Sequence, residues 1–200
     1  MASNSRDSSG DRSMPEVAAL LVAAAAGDQD AWRLIVGLYA DRVFGLIRSQ
    51  CGDAELAEEI TQSTFCTVAA KLHEYEEVGR FESWIFRIAM NRLRDEMRRR
   101  KRQASPMDEA PLATLAVVPP SAGAAAPTDP AMADLLRSAI ASLNDADREI
   151  INLRHVGGLS FKQLAETLGE PLGTLLARHH RALRKLREFL EERGFDADGF

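Results

Sequence analysis

The 200-residue sequence contains two cysteines, Cys51 and Cys66. That is too few for a disulfide framework, and neither belongs to a short-spaced Cys/His motif that could hold a metal. They read as free thiols. Aromatic residues make up only 6 % of the chain. No apolar run reaches the roughly 18 residues that a membrane-spanning helix needs. The apolar stretch 17–26 is short and Ala-rich, and Asp7, Asp11 and Glu16 stand before it, the wrong charge for a signal peptide. A cytoplasmic protein without membrane insertion is therefore expected. Period-two alternation is missing, which argues against strands. A Gly-rich phosphate loop is missing too, and His73, His155, His179 and His180 are scattered over separate segments. Nothing assembles a nucleophile, a base and an orienting group. No catalytic residue, metal site or cofactor is expected.

The net charge is −5, which at first sight disfavours nucleic acid. The charges are segregated, however. Between Arg87 and Arg102 eight basic residues face only Asp95 and Glu96, a local charge of +6, and between Arg178 and Arg187 the local charge is +5. A phosphate track responds to such patches rather than to the sum over the chain.

Apolar residues recurring at three- and four-residue steps predict helices over 15–27, 30–50, 53–72 and 81–102. Trp32, Ile35, Val36, Tyr39, Val43, Leu46 and Ile47 form one buried stripe, and Asp53 is placed to cap the third helix. Residues 1–13 offer almost nothing to bury and are expected to be disordered. From 104 to 130 the composition changes. Pro106, Pro111, Pro119, Pro120, Pro127 and Pro130 lie among Ala, Gly, Ser and Thr, which predicts a flexible linker. Helices resume over 131–142, 145–155, 161–168 and 172–191, followed by a tail over 193–200. The expected fold is all-α, with two small helical domains over 14–103 and 131–192.

Two segments carry function. In the first, Ser160 and Gln163 form an S-x-x-Q capping box, Gly169 sits where a left-handed residue ends a short helix, and a longer basic helix follows Pro171. Leu164, Leu168, Leu172 and Leu175 are spaced to fill the angle between the two helices. This is a helix-turn-helix whose second helix is suited to the major groove. In the second, Phe81, Trp84, Ile85, Ile88 and Ala89 open a helix that continues into the arginine run. Rings beside a cationic track suit unstacked single-stranded bases.

The runs FESWIFRIAMNRLRDEMRRRKR, AELAEEITQSTFCTVAAKL and LNDADREIINLRHVGGLSFKQLAETLGEPLGTLLARHHRALRKLREFL resemble, in this family's order and spacing, segments of extracytoplasmic-function (ECF) RNA polymerase sigma factors. The resemblance implies a factor that binds core RNA polymerase, recognises and melts promoter DNA and starts transcription. It makes 14–103 sigma region 2 and 131–192 sigma region 4. It implies that Glu59 and Gln62 face the basic coiled coil of the polymerase clamp, with Phe65 in the core. Ser63 stands where relatives usually carry Glu, and the polymerase flap is the other implied contact. Tyr75, Ile88 and Asn91, with Trp84 beside them, would surround a flipped base of the −10 element, while Arg92, Arg94, Arg98 and Arg99 hold phosphates. Arg178, His180, Arg181 and Arg184, with Lys185, would meet the −35 duplex. An anti-sigma factor is an implied partner. The acidic balance and the linker also favour a compact free state that binds DNA poorly.

The last helix departs from the family pattern at Leu176, Ala177, His179 and Leu183. Two readings stand. Leu172, Leu176, His179, Leu183, Leu186 and Leu190 could form a shifted buried seam, or Leu176 could meet a thymine methyl in the groove. Two other functions remain open: a one-component helix-turn-helix regulator that never touches polymerase, and a protein that titrates an anti-sigma factor. The first leaves Trp84, Asn91 and the arginine run without a role.

Overall fold

A computed structural model describes residues 14–76, 78–103 and 130–195. Every regular element among them is helical. The first unit comprises α1 (Met14–Ala25), α2 (Gln29–Cys51), α3 (Ala54–Lys71), a 3-10 turn (Leu72–Glu74) and α4 (Phe81–Gln103). The second comprises α5 (Pro130–Ser142), α6 (Asp145–His155), α7 (Phe161–Leu168) and α8 (Leu172–Glu191). The expected disorder of 1–13, the greater part of the linker and the end of the tail lie outside the described residues.

Helix ends follow the capping chemistry of the sequence. The Asp28 carboxylate accepts from the amides of Asp30 (2.8 Å) and Ala31 (3.1 Å) ahead of α2. Asp53 accepts from Glu55 (3.0 Å) and Leu56 (3.1 Å) ahead of α3. These orphan amides have no partner inside the helix, so a short acceptor side chain satisfies them. The hydrogen bonds, that of Leu56 foremost, hold the Asp53 carboxyl below its ordinary value, and Arg100 adds to this. Both halves of the Ser160–Gln163 capping box form. Gly169 ends α7 at φ 70°, in the left-handed region that only glycine adopts without cost.

The core of the first unit collects Ile35, Val43, Leu46 and Ile47 of α2, Leu56, Ile60 and Val68 of α3, and Ile85, Phe86 and Ala89 of α4. It does not stop at the unit boundary. Ile150 and Leu153 of α6, Leu159, Leu164 of α7 and Leu175 of α8 belong to the same cluster, with α7 lying on α4 and α6 on α2. A smaller cluster of Ala139, Leu143, Ile151, Ala182 and Leu186 holds the far side of the second unit. Helix α6 thus serves two cores, through Ile150 and Leu153 on one side and Ile151 on another.

Polar contacts border this seam. Arg42 donates from Nε to the Gly157 carbonyl (3.1 Å), pairs with Glu82, and stands 5.3 Å from the centre of the Phe86 ring. Asn152 Nδ2 donates to the Ser49 carbonyl at 3.4 Å, and the Thr167 hydroxyl donates to the Ser83 carbonyl at 3.3 Å. Gly158 (φ +71°) passes so close that a Cβ there would lie 3.2 Å from the Arg42 guanidinium.

Leu164 is fully buried in the seam whereas Leu176 is 44 % exposed. Leu164→Ala is expected to lower unfolding stability by about 2–5 kcal/mol and Leu176→Ala by less than about 0.5 kcal/mol, as read from urea denaturation.

Candidate nucleic-acid and polymerase surfaces

The first surface forms at the head of α4. Phe81 is buried against Tyr39, with ring centres 5.4 Å apart. It anchors Tyr75, which follows the 3-10 turn, edge-on at 5.6 Å. Tyr75 stacks on Trp84 at 4.6 Å with planes 23° apart. Offset stacking of this kind suits the ring quadrupoles, and it leaves two half-buried aromatic faces beside a cationic helix. Next to them opens a cleft of about 380 Å³. Tyr75, Val78, Arg80, Ser83, Trp84 and Arg87 form one wall, and Ala165, Glu166 and Gly169 form the other. Ile88 and Asn91 lie one and two turns beyond Trp84, outside this cleft. Asn91 is exposed and accepts from Arg94 at 3.1 Å.

Sequence reasoning missed the second wall. Glu166 accepts from the Ser83 hydroxyl (2.9 Å) and lies 3.5 Å from Arg80, and its carbonyl accepts from Arg87. Arg94 pairs with Glu149 of α6, and Gln163 donates to Glu82. The cationic face of α4 therefore meets acids from the helix-turn-helix unit. Arg92 donates to the Thr67 hydroxyl. Arg98 and Arg99 stay exposed and pair with Asp95 and Glu96 of their own helix.

The second surface is the outer face of α3, where Glu55, Glu58, Glu59 and Gln62 are exposed. Gln62 Nε2 donates to Glu58 at 3.2 Å. The Ser63 hydroxyl turns back to the Ile60 carbonyl at 3.1 Å, and the residue is half-buried. Phe65 is buried, in agreement with its expected core position. Cys66 is exposed on the same helix, while burial pushes the half-buried Cys51 thiol up.

The third surface is α8, and here one reading of the sequence is corrected. Leu172 (47 %), Leu176 (44 %) and Leu183 (42 %) are exposed, so the shifted seam does not form. The buried seam runs instead through Leu175, Ala182 and Leu186, with His179 and Leu190 partly covered. Leu172 accordingly does not fill the angle between α7 and α8, whereas Leu164 and Leu175 do. Five expected duplex contacts divide. Arg178 is clasped by both oxygens of Glu170, at 2.9 and 2.5 Å, which raises its basicity further. Lys185 is held 2.5 Å from buried Asp147. His180, Arg181 and Arg184 are exposed.

His179 does not face outward. Its ring stacks on His155 with centres 5.3 Å apart, the two Nε2 atoms are 3.0 Å apart, and Phe161 packs edge-on at 5.1 Å. Desolvation, and then Arg154, hold His155 below its ordinary value. Desolvation, His155, Arg154 and His180 do the same to His179. Among the described residues no group of three or more His, Cys, Asp or Glu is placed to hold a metal ion. None of the described helices is long and apolar enough to cross a membrane.

Comparison with known proteins agrees with this geometry. Residues 35–103 match Sigma-70 region 2 and residues 139–188 match Sigma-70, region 4. The chain is 32 % identical over 166 residues to the RNA polymerase sigma factor CarQ of Myxococcus xanthus, covering 83 % of this chain and 92 % of that protein. It is 33 % identical over 180 residues to the ECF RNA polymerase sigma factor SigK of Mycolicibacterium vanbaalenii, covering 88 % and 89 %. Among solved structures it resembles the sigma factor RpoE of Bartonella quintana in complex with the anti-sigma factor NepR. There the TM-score is 0.66 at 25 % identity, over 80 % of this chain and 96 % of that one. The fold is also that of CnrH, solved with the cytosolic domain of CnrY, with a TM-score of 0.64 at 23 % identity over 87 % and 96 %. The chain belongs to the ECF RNA polymerase sigma factors. It directs RNA polymerase to promoters and is not itself an enzyme.

The histidine pair gives a pH dependence of definite sign. A base held below its ordinary value in the folded chain takes up protons more readily when unfolded, so folding stability falls as pH drops through the ordinary histidine value of 6.5. His179→Leu is expected to flatten this part of the stability profile. Thermal unfolding of both proteins between pH 8 and pH 5 checks it.

Proposed function

We propose that the three surfaces divide the work of initiation. The acidic face of α3, through Glu59 and Gln62 with Ser63 at its edge, docks on the basic coiled coil of the polymerase clamp, while the second unit reaches the flap. Tyr75 and Trp84 stack against a base extruded from the −10 element, with Ile88 as apolar wall and Asn91 as reader of its edge. Extruding a base costs a few kcal/mol, which stacking and hydrogen bonds offset. Arg92, Arg94, Arg98 and Arg99 hold the flanking phosphates. His180, Arg181 and Arg184 hold the −35 duplex at once, and Arg178 and Lys185 join them by exchanging a carboxylate for a phosphate. Work at promoters places the protein in the cytoplasm. A protein of the anti-sigma kind is the expected partner in the inactive state, in keeping with the solved complex of RpoE with the anti-sigma factor NepR.

One observation carries the reading: the stacked Tyr75–Trp84 pair stands at the start of a cationic helix, in a chain that also presents an exposed helix-turn-helix. A duplex-only regulator has no use for the aromatic pair. Strand capture also requires the helix-turn-helix unit to shift off α4, because Glu149 of α6 occupies Arg94, a cation that the strand would use.

Full-length protein reconstituted with core RNA polymerase on promoter templates tests the proposal. Trp84→Ala is expected to lower open-complex formation by about 5- to 150-fold, the worth of one base–aromatic stack of about 1–3 kcal/mol, while polymerase binding stays intact. Glu59→Lys is expected to weaken polymerase binding about tenfold, the reverse pattern, since it sets a like charge against a basic surface. Duplex binding without transcripts from any template would support the one-component regulator instead.

A further inference from the structure

Resting on the duplex-reading role of α8, we infer that the leading turns of this helix select thymine through its methyl group and are built without a reader of guanine. The leading end of a recognition helix is the part that meets base edges. Over residues 172–179 the exposed side chains are Leu172, Thr174, Leu176 and Ala177. The one cation of these turns, Arg178, is clasped by both oxygens of Glu170 and, in the role given it above, exchanges that carboxylate for a phosphate and not for a base edge, and His179 is turned onto His155 and Phe161.

Guanine is ordinarily read in the major groove by an Arg or Lys bonding both O6 and N7. The tip offers no free side chain of that kind. It offers instead Leu172 and Leu176, four residues apart on one helix face and each nearly half exposed. The apolar feature of major-groove base edges is the C5 methyl of thymine. Leucine against that methyl removes apolar surface of both from water, whereas leucine against the amino and carbonyl groups of a G·C pair strips them of water without replacing the hydrogen bonds. Charge favours DNA over a protein as the occupant of this stripe. Exposed Arg181, Arg184 and Arg187 follow on the next turns, where they can take the phosphates flanking the contacted bases.

Holoenzyme made from the full chain and core RNA polymerase, offered templates randomised in the upstream element, tests the inference. Thymine is expected to be enriched at one or two adjacent positions. Replacing a selected thymine by deoxyuracil removes only the methyl and should weaken binding about fourfold, the discrimination that one buried methyl supports. Leu176→Ala should abolish that response to deoxyuracil, and Leu176→Arg should move the preference at that position toward guanine. An element rich in guanine, or one indifferent to deoxyuracil, would overturn the inference and leave the initiation role standing. Thymine-dependent binding of the duplex without transcripts would do the opposite. Leu176→Ala that leaves selection unchanged but weakens holoenzyme assembly would make the stripe a protein-facing surface and also overturn the inference.

Discussion

The packing of α7 against α4 is the constraint on which the rest depends. Leu164 and Leu175 are fully buried in the same cluster as Phe86 and Ile85, so the helix-turn-helix and the arginine helix share one apolar interior. Surface buried there cannot face nucleic acid at the same time. The polar border of the seam repeats this conflict in charge. The Glu149 carboxylate lies on Arg94 of the helix proposed to hold a DNA strand, and that of Glu166 lies on Arg80 just ahead of it. Closure therefore satisfies the same groups that a promoter would satisfy. The exposed half of α8 is not covered by this packing, so the two DNA-reading elements are unequally available in the closed arrangement.

Arg42 shows how the border is held. Its guanidinium has a buried aromatic face on one side, the Gly157 carbonyl in front and Glu82 beside it. A charge left half-buried without these partners would be costly. The contact also joins α2 to the turn between α6 and α7, which are far apart in sequence, so it sets the angle at which α7 reaches α4.

Helices, caps and the helix-turn-helix were legible in the sequence because their determinants are local. Asp53, Ser160, Gln163 and Gly169 act on residues within one turn, and a buried stripe repeats at a known period. The Tyr75–Trp84 pair was legible as a set of residues, though not as a stack. The seam was not legible, since Glu166 meets Ser83 and Glu149 meets Arg94 across the intervening segment, and a single sequence carries no signal for which acid meets which base. The α8 seam was ambiguous for another reason. Leu175, Ala182 and Leu186 and the set Leu172, Leu176 and Leu183 both repeat at helical spacing, and only packing, of Leu175 in the main cluster and of Ala182 and Leu186 against Ala139, Leu143 and Ile151, decides between them. Small Ala182 is the residue at which α8 comes close to its neighbours, and a search for large apolar side chains passes over it.

The carboxylate border of the seam also makes dissolved salt a two-sided influence. Ions screen Arg80–Glu166 and Arg94–Glu149, which lie partly open to solvent, and so loosen the closed arrangement. The same ions compete for the phosphate contacts that the freed arginines would make. The apolar part of the seam gains rather than loses when the added salt is a strongly hydrated one such as sulfate. Ionic strength and ion type are thus separate controls on one molecule: the first acts on the charged border, the second on the leucines behind it.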